Sequence, residues 1–198
     1  MTGRNPGKHG IYGFTELKPG TLTTFFPNFG NVRAETIWDV AGRAGKRAIV
    51  MNVPGTYPAR PLAGVLVSGF VAINLERAVH PATLLPRLSA AGYKIDVDYL
   101  KANERPEAFF ADLGATLEAR RRVYLDLLRT EPWDLFVGVV AECDRLHHYF
   151  WDQWVDERAP HHGRFVEFYR RLDDVLGALL EALPRDVPVF VIADHGHT

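Results

Sequence analysis

Two short segments of the chain combine a carboxylate with an imidazole at spacings that could hold a metal ion. Asp144 and His148 form the first pair, and Asp194 and His195 form the second. An Asp and a His at positions i and i+4 lie on one face of a helical turn, so Asp144 and His148 can approach a single ion. Their oxygen and nitrogen donors suit zinc or manganese.

The adjacent pair Asp194 and His195 requires a different backbone. Successive side chains point apart in a regular segment, but they can converge where a strand ends and turns into a loop. Gly196 follows directly and permits the unusual backbone that such a turn needs. We therefore predict that Asp194 and His195 converge at the end of a strand.

Both pairs follow apolar runs that predict buried strands, residues 134–140 and residues 189–193. An apolar stripe at the helical period over residues 165–180 predicts an amphipathic helix between them. Strand, helix and strand in this order favour a parallel sheet. Because ligands bind at the carboxyl ends of parallel strands, this order places both pairs where a functional site is expected.

Further elements precede these strands. Residues 1–33 are rich in Gly, Pro and Asn and predict a loop. A helix over residues 36–43, capped by Thr36, leads into an apolar run at 48–53 that predicts a buried strand. Residues 107–130 carry apolar side chains at helical spacing and predict a long helix.

Residues 55–106 are broken by prolines, and residues 95–99 alternate like an exposed strand. We interpret 55–106 as a cap or insertion within one domain that spans residues 1–198. No internal repeat and no linker divides the chain. The predicted fold class is α/β, with a mixed, mostly parallel sheet sandwiched by helices.

Composition excludes several classes of protein. The formal net charge is −1 and the basic residues are scattered, so nucleic-acid binding is not expected. The one basic run, residues 120–122, is interpreted as a solvated helix face. No apolar run approaches the roughly 18–20 residues of a membrane span, and the N-terminus lacks an apolar signal segment. A lone cysteine, Cys143, suits a reducing compartment, so we expect the cytoplasm.

The two metal-ligand segments also carry a family resemblance. Residues 144–151 and 194–196 resemble the D-x-x-x-H and D-H-G motifs of the alkaline phosphatase superfamily. Residues 2–11 resemble the T-G-x-x-P-x-x-H-G-I stretch of its nucleotide pyrophosphatase/phosphodiesterase-like branch, which includes predicted phosphohydrolases and phosphomutases. Residues 36–39 and 52–54 match as well, in the expected order, so the resemblance spans the whole chain.

This resemblance implies an alkaline phosphatase-like fold and a site with two divalent ions, zinc or manganese. In the family pattern one ion activates a Thr or Ser nucleophile and the other stabilises the leaving oxygen, through a covalent phosphoenzyme. The D-x-x-x-H pair binds one ion, which implies Asp144 and His148. The D-H-G pair binds the other, which implies Asp194 and His195.

The sequence also departs from the family pattern. Family members place a metal-binding Asp and the Thr or Ser nucleophile before the stretch at which this chain begins, and a further His well after D-H-G. We therefore expect a fragment cut at both ends, with an incomplete two-metal site and an unknown nucleophile. Thr2 lies within that stretch and downstream of the family nucleophile, and Thr24 lies beyond the stretch, so neither is expected to replace the nucleophile.

Other side chains near the motifs are expected to have ordinary roles. Only the i+4 position matches the motif, so His147 is expected to be a neighbour of the site or a surface residue. His197 could face the same cavity as His195, but chance is the better explanation. Cys143 is expected to be a buried, inert thiol.

The predicted function is hydrolysis of phosphate mono- or diesters by a metal-dependent enzyme, with a small-molecule phosphate ester as its partner. The alternative is an inactive fragment or pseudoenzyme that uses the cleft only to hold a phosphorylated ligand. A sulfatase or phosphoglycerate mutase relative is a third hypothesis. The specificity of this superfamily lies in inserted segments such as 55–106, which contain no interpretable ligand code.

Overall fold

A computed structural model describes residues 1–197 of the chain and shows two compact units. The first, here called the sheet unit, comprises residues 1–87 and 131–139. The second, here called the helical unit, comprises residues 88–130 and the segment from residue 140 onward. The prediction of one catalytic domain over residues 1–198 stays a prediction.

The first part of the sheet unit is irregular, as predicted for residues 1–33. It contains only short elements: helix α1 (Pro6–His9), the antiparallel strands β1 (Glu16–Leu17) and β2 (Thr24–Phe25), and a 3-10 turn at Phe29–Asn31. The Gly- and Pro-rich composition of this segment explains why none of them extends further.

Helix α2 (Ile37–Arg43) begins where its predicted cap lies. The Thr36 hydroxyl accepts a hydrogen bond from the Asp39 amide, and the Asp39 carboxylate accepts one from the Thr36 amide at 2.8 Å. This reciprocal capping box satisfies two amides at the helix start. Strand β3 (Ala48–Val53) follows with the predicted bounds, and its first five residues are buried.

The sheet is mixed and mostly parallel, as predicted. Its other strands are β4 (Gly64–Ser68), β5 (Val79–His80) and β6 (Leu135–Gly138), and the strand order is β5-β4-β3-β6. Strand β3 pairs in parallel with both β4 and β6, whereas β5 pairs antiparallel with β4. A 3-10 turn at Ala82–Leu84 and helix α3 (Leu85–Ala90) follow β5.

The segment 55–106, interpreted as a cap or insertion, contains strands β4 and β5 of the sheet. The strand predicted at residues 95–99 was wrong, since no strand forms there. Local polar contacts replace strand pairing: the Asp96 carboxylate accepts from the Val97 amide at 2.9 Å, and the Asp98 amide donates to Asp112 at 2.9 Å. Such side-chain bonds compete with regular backbone pairing.

The helical unit packs three long helices around an aromatic core. Its helices are α4 (Lys101–Glu104), α5 (Pro106–Thr130), α6 (Glu142–Val155) and α7 (His162–Ala182), and α5 and α7 confirm the predicted helices. The backbone of α6 is kinked at Phe150. Buried side chains that form the core are Val97, Ala102, Phe109, Phe110, Leu113, Leu117, Leu146, Phe150, Phe165, Phe168 and Val175. Across residues 1–197, no helix has the length and apolar character to cross a bilayer.

The strand predicted at residues 189–193 was wrong. This segment forms no strand among the described residues, and its apolar side chains face solvent: Phe190, Val191 and Ile192 are 82%, 81% and 84% exposed. Aromatic and β-branched residues favour strands, but that preference depends on a neighbouring strand and on burial. This segment has the composition of a strand, but no other strand in the described part of the chain pairs with it.

Arg120 is buried, which corrects the interpretation of residues 120–122 as a solvated face. Arg120 and Glu142 are each 1% exposed, and Nη2 of Arg120 lies 2.6 Å from Oε1 of Glu142. The Tyr93 hydroxyl accepts a further hydrogen bond from Nη1 at 3.0 Å. An arginine enters a core only when a carboxylate offsets the cost of removing its charge from water, and Glu142 provides it.

Substitution of Arg120 by Met is expected to destabilise the protein strongly. The Glu142 carboxylate would remain buried without its cation, which typically costs about 3–5 kcal/mol in the free energy of unfolding. Urea denaturation followed by circular dichroism measures this loss.

The control for this prediction is Arg121→Met, because Arg121 is paired at the surface with Glu118. Loss of a surface pair should change the free energy of unfolding by less than about 0.5 kcal/mol. Equal stabilities of the two variants would contradict the buried pair.

Candidate functional site

Helix α6 places Asp144 and His148 on one face, as the i, i+4 spacing predicts. Nε2 of His148 lies 3.3 Å from Oδ1 of Asp144. Leu146 and Phe150, on the same helix, are buried in the core of the helical unit and fix the rotation of α6. The side chains of Asp144 and His148 consequently stay accessible, at 34% and 53% exposure.

The segment after residue 193 brings a second imidazole to the same carboxylate. Nε2 of His195 lies 3.7 Å from Oδ1 of Asp144 and 3.9 Å from Oδ1 of Asp194, which is 95% exposed. The other ring nitrogen, Nδ1, lies 2.7 Å from the Gly196 carbonyl oxygen. That hydrogen bond and the neighbouring Asp194 carboxylate raise the pKa of His195. With its Nδ1 proton donated to Gly196, the ring directs Nε2 towards Asp144.

The separation of Asp144 and His148 suits two ligands of one ion. With zinc bonds of roughly 2.0–2.1 Å in tetrahedral geometry, ligand atoms lie about 3.3 Å apart. The donor types, carboxylate oxygen and imidazole nitrogen, also suit zinc or manganese. Within residues 1–197, no group of three or more His, Cys, Asp or Glu side chains is arranged to hold a metal ion. The pair therefore fits a metal ligand set by chemistry and spacing, without a complete group around it.

The second oxygen of Asp144 faces a cation. Oδ2 of Asp144 lies 3.7 Å from Nη1 of Arg145, the next residue of α6. Arg145 in turn binds the carboxylate of Asp96, with Nη2 2.6 Å from Oδ2. The two oxygens of Asp144 thus face opposite kinds of partner, imidazoles on one side and a guanidinium on the other. No motif of the chain indicates this arrangement.

His147 takes part in packing. Its ring stacks on Phe165 with centroids 5.5 Å apart, and its Nε2 is hydrogen-bonded to the Tyr169 hydroxyl at 2.6 Å. Burial and the nearby His197 ring lower the pKa of His147. Burial also raises the pKa of Tyr169 to about 12. The two adjacent histidines of α6 therefore occupy different environments, His147 against an aromatic surface and His148 towards solvent.

His197 lies beside aromatic rings of helix α6. Its ring centroid is 5.3 Å from that of His148, 5.5 Å from that of His147 and 5.1 Å from the Trp151 ring. The sequence pointed to His197 only through its position two residues after His195.

Cys143 precedes Asp144 and is half-buried. Its thiol donates to the Val140 carbonyl oxygen at 3.0 Å, and burial raises the pKa of the thiol. A protonated thiol is a poor nucleophile and a poor metal ligand. This environment agrees with the expectation of an inert cysteine.

Comparison with known families identifies the family of the chain. A family model described as type I phosphodiesterase / nucleotide pyrophosphatase matches residues 1–198. The chain belongs to this family. Comparison with curated proteins gave no match, and comparison with solved structures gave none. The resemblance to the nucleotide pyrophosphatase/phosphodiesterase branch, predicted from the motifs, is confirmed by the family match.

Membership of the type I phosphodiesterase/nucleotide pyrophosphatase family indicates a hydrolase of the phosphodiesterase or pyrophosphatase type. The family is generally dependent on divalent metals and acts on small phosphate esters. The mixed α/β architecture with its mostly parallel four-stranded sheet is compatible with an alkaline phosphatase-like fold.

The two histidines of α6 are expected to respond differently to replacement by alanine. His147→Ala removes a stacked ring and its hydrogen bond to Tyr169, which should lower the free energy of unfolding by about 1–2 kcal/mol. His148→Ala removes a ring that is 53% exposed. Its loss should change the free energy of unfolding by less than about 0.5 kcal/mol. Urea denaturation of both variants beside the parent protein measures the difference, and a larger loss for His148→Ala would contradict the packing described above.

Proposed function

We propose that this protein is a metal-dependent hydrolase of phosphate mono- or diesters whose ions are held by Asp144, His148, Asp194 and His195. One observation carries the proposal. A single carboxylate oxygen, Oδ1 of Asp144, is faced by Nε2 of His148 and by Nε2 of His195, which come from segments far apart in the sequence. In a chain of the type I phosphodiesterase/nucleotide pyrophosphatase family, this convergence supports a shared metal-binding role.

The ligand assignment follows the two motifs. Asp144 and His148 are proposed to bind one ion, and Asp194 and His195 the other. The two carboxylates carry negative charge that offsets the charge of divalent cations. Together with the imidazole nitrogens, they form a set of ligand types that suits zinc or manganese. The hydrogen bond from Nδ1 of His195 to the Gly196 carbonyl fixes the ring tautomer and leaves Nε2 as the donor atom.

Bound divalent ions would supply Lewis-acid stabilisation of phosphoryl oxygens and activation of an oxygen nucleophile. The residues themselves position these charges. His148 is carried by a helix whose rotation is fixed by the buried Leu146, and Asp144 shares that helix. Rigid placement of ligands on a packed helix is the condition for well-defined transition-state stabilisation. The proposed substrate is a small phosphate ester, and the cytoplasm stays the proposed location.

A second candidate function is favoured by a specific observation. Within the described residues, no three potential ligands form a closed metal-binding group. A protein of this family whose metal ligands do not form a closed group could bind a phosphorylated ligand without hydrolysing it. We therefore keep a catalytically inert, ligand-binding role as the alternative.

Metal content and turnover, measured on the same preparation, test the proposal. We expect the purified protein, incubated with Zn²⁺ or Mn²⁺ and then desalted, to retain metal by plasma mass spectrometry. Asp144→Asn should weaken metal binding by about tenfold or more, since loss of a ligand costs at least as much as loss of its supporting partner. Asp152→Asn, an exposed carboxylate on the same helix, is the matched control and should retain the metal of the parent.

Hydrolysis of a chromogenic phosphodiester separates the two candidate functions. Retained metal with turnover that Asp144→Asn abolishes supports the hydrolase. Retained metal without turnover supports the inert, ligand-binding role. If the parent protein retains neither ion, or if Asp152→Asn loses as much metal as Asp144→Asn, the assigned ligands are wrong.

A further inference from the structure

We propose that Arg145 is a positioning residue that orients Asp144 for metal binding, and that Asp96 holds Arg145 in place. This inference rests on the proposed function, because it concerns the same carboxylate. It adds two residues to which the motifs assign no role, one of them from the irregular segment before α4.

The two oxygens of Asp144 are divided between different partners. Oδ1 faces the imidazoles, at 3.3 Å from His148 and 3.7 Å from His195, whereas Oδ2 faces Nη1 of Arg145 at 3.7 Å. A separation of this length is too great for a hydrogen bond but is an effective distance for attraction between opposite charges. The guanidinium therefore draws Oδ2 to one side, which leaves Oδ1 directed at the ligand nitrogens.

Arg145 can orient its neighbour only if its own position is fixed, and Asp96 provides that restraint. Nη2 of Arg145 lies 2.6 Å from Oδ2 of Asp96, and Nε lies 3.1 Å from both carboxylate oxygens. This is a forked, charge-assisted pair, the strongest type of side-chain hydrogen bonding. The side chains of Arg145 and Asp96 are only 12% and 20% exposed. Water and salt therefore screen the pair weakly.

Two further contacts anchor this pair to the helical unit. The Asp96 carboxylate accepts a hydrogen bond from the Val97 amide at 2.9 Å, and the Val97 side chain is 4% exposed within the aromatic core. The guanidinium of Arg145 also lies over the Tyr99 ring, 5.6 Å from its centroid. That separation is typical of a cation–π contact. A continuous series of contacts thus runs from the core through Val97, Asp96 and Arg145 to Asp144.

The direction in which metal affinity changes after loss of Arg145 distinguishes a positioning role from a purely electrostatic one. A cation beside a metal site repels the metal, so if Arg145 acted only through its charge, removing it would tighten metal binding. Asp96 neutralises that charge at close range, and what remains is the orientation of Asp144. A positioning role therefore predicts weaker metal binding after loss of Arg145, and a purely structural role predicts lower stability with unchanged affinity.

The geometry also predicts that lysine cannot fully replace arginine at position 145. The guanidinium uses Nη2 and Nε towards Asp96 and Nη1 towards Asp144, so it contacts both carboxylates at once. Lysine carries a single ammonium group and cannot reproduce this fork. Arg145→Lys is therefore expected to keep the charge while restoring only part of the affinity.

Isothermal titration with Zn²⁺, and separately with Mn²⁺, tests the inference on the full chain. Arg145→Met is expected to weaken metal binding by about tenfold, the usual effect of losing a partner of a metal ligand, and Arg145→Lys by less. Asp96→Asn should also weaken it, because the released guanidinium then competes with the metal for Asp144. The double variant should be no worse than Arg145→Met, since the two residues act as one unit. Arg121→Met, which removes a surface pair on α5, should bind like the parent.

Circular dichroism and thermal unfolding of each variant show whether it is folded. If Arg145→Met does not fold, Arg145→Lys and Asp96→Asn decide the outcome, and parent-like affinity in both overturns the inference. Unchanged or tighter binding by folded Arg145→Met also overturns it, while leaving the proposed function intact as long as the parent binds metal. A parent protein that binds neither ion overturns both.

Discussion

The rotation of helix α6 about its own axis is the constraint on which the candidate site depends. Leu146 and Phe150 are buried in the aromatic core, and Glu142 at the start of the helix is buried against Arg120. Asp144 and His148 lie on a face of α6 that these contacts leave open to solvent. A helix rotated by one residue would bury the charge of Asp144 or expose the apolar side chain of Leu146. Either change would lower the stability of the folded protein. The polar site is therefore a product of apolar packing on the other side of the same helix.

Elements with strong local signals were predictable from the sequence. The Thr36 cap, the apolar run of β3 and the long periodic stretches of α5 and α7 each carry their own stabilising pattern, so their bounds could be inferred to within a few residues. Residues 95–99 and 189–193 show the limit of such patterns. Both have the alternation or composition of a strand, but a strand forms only when a neighbour supplies hydrogen bonds, and no residue within the segment itself encodes that neighbour.

The candidate site also contains residues that the sequence predicts and residues that only the folded structure reveals. Asp144 and His148 were predictable because helical geometry fixes what lies four residues apart, and the D-H-G motif pointed to Asp194 and His195. Arg145 lies 49 residues from Asp96 in the sequence, so only the folded chain reveals their pairing. Arg120 was misjudged for a related reason: three consecutive arginines are typical of a surface, and burial of the first depends on a carboxylate 22 residues away.

The water-facing apolar run at residues 189–193 has a consequence for how the protein behaves in solution. Within residues 1–197 the backbone of this run pairs with no strand, and such a backbone beside valine, phenylalanine and isoleucine is a template for another chain, which is the usual origin of edge-to-edge aggregation. A formal net charge of only −1 offers little electrostatic repulsion between copies to oppose it. Dilute samples, at a pH well away from the isoelectric point, are therefore the conditions under which individual molecules are best kept apart.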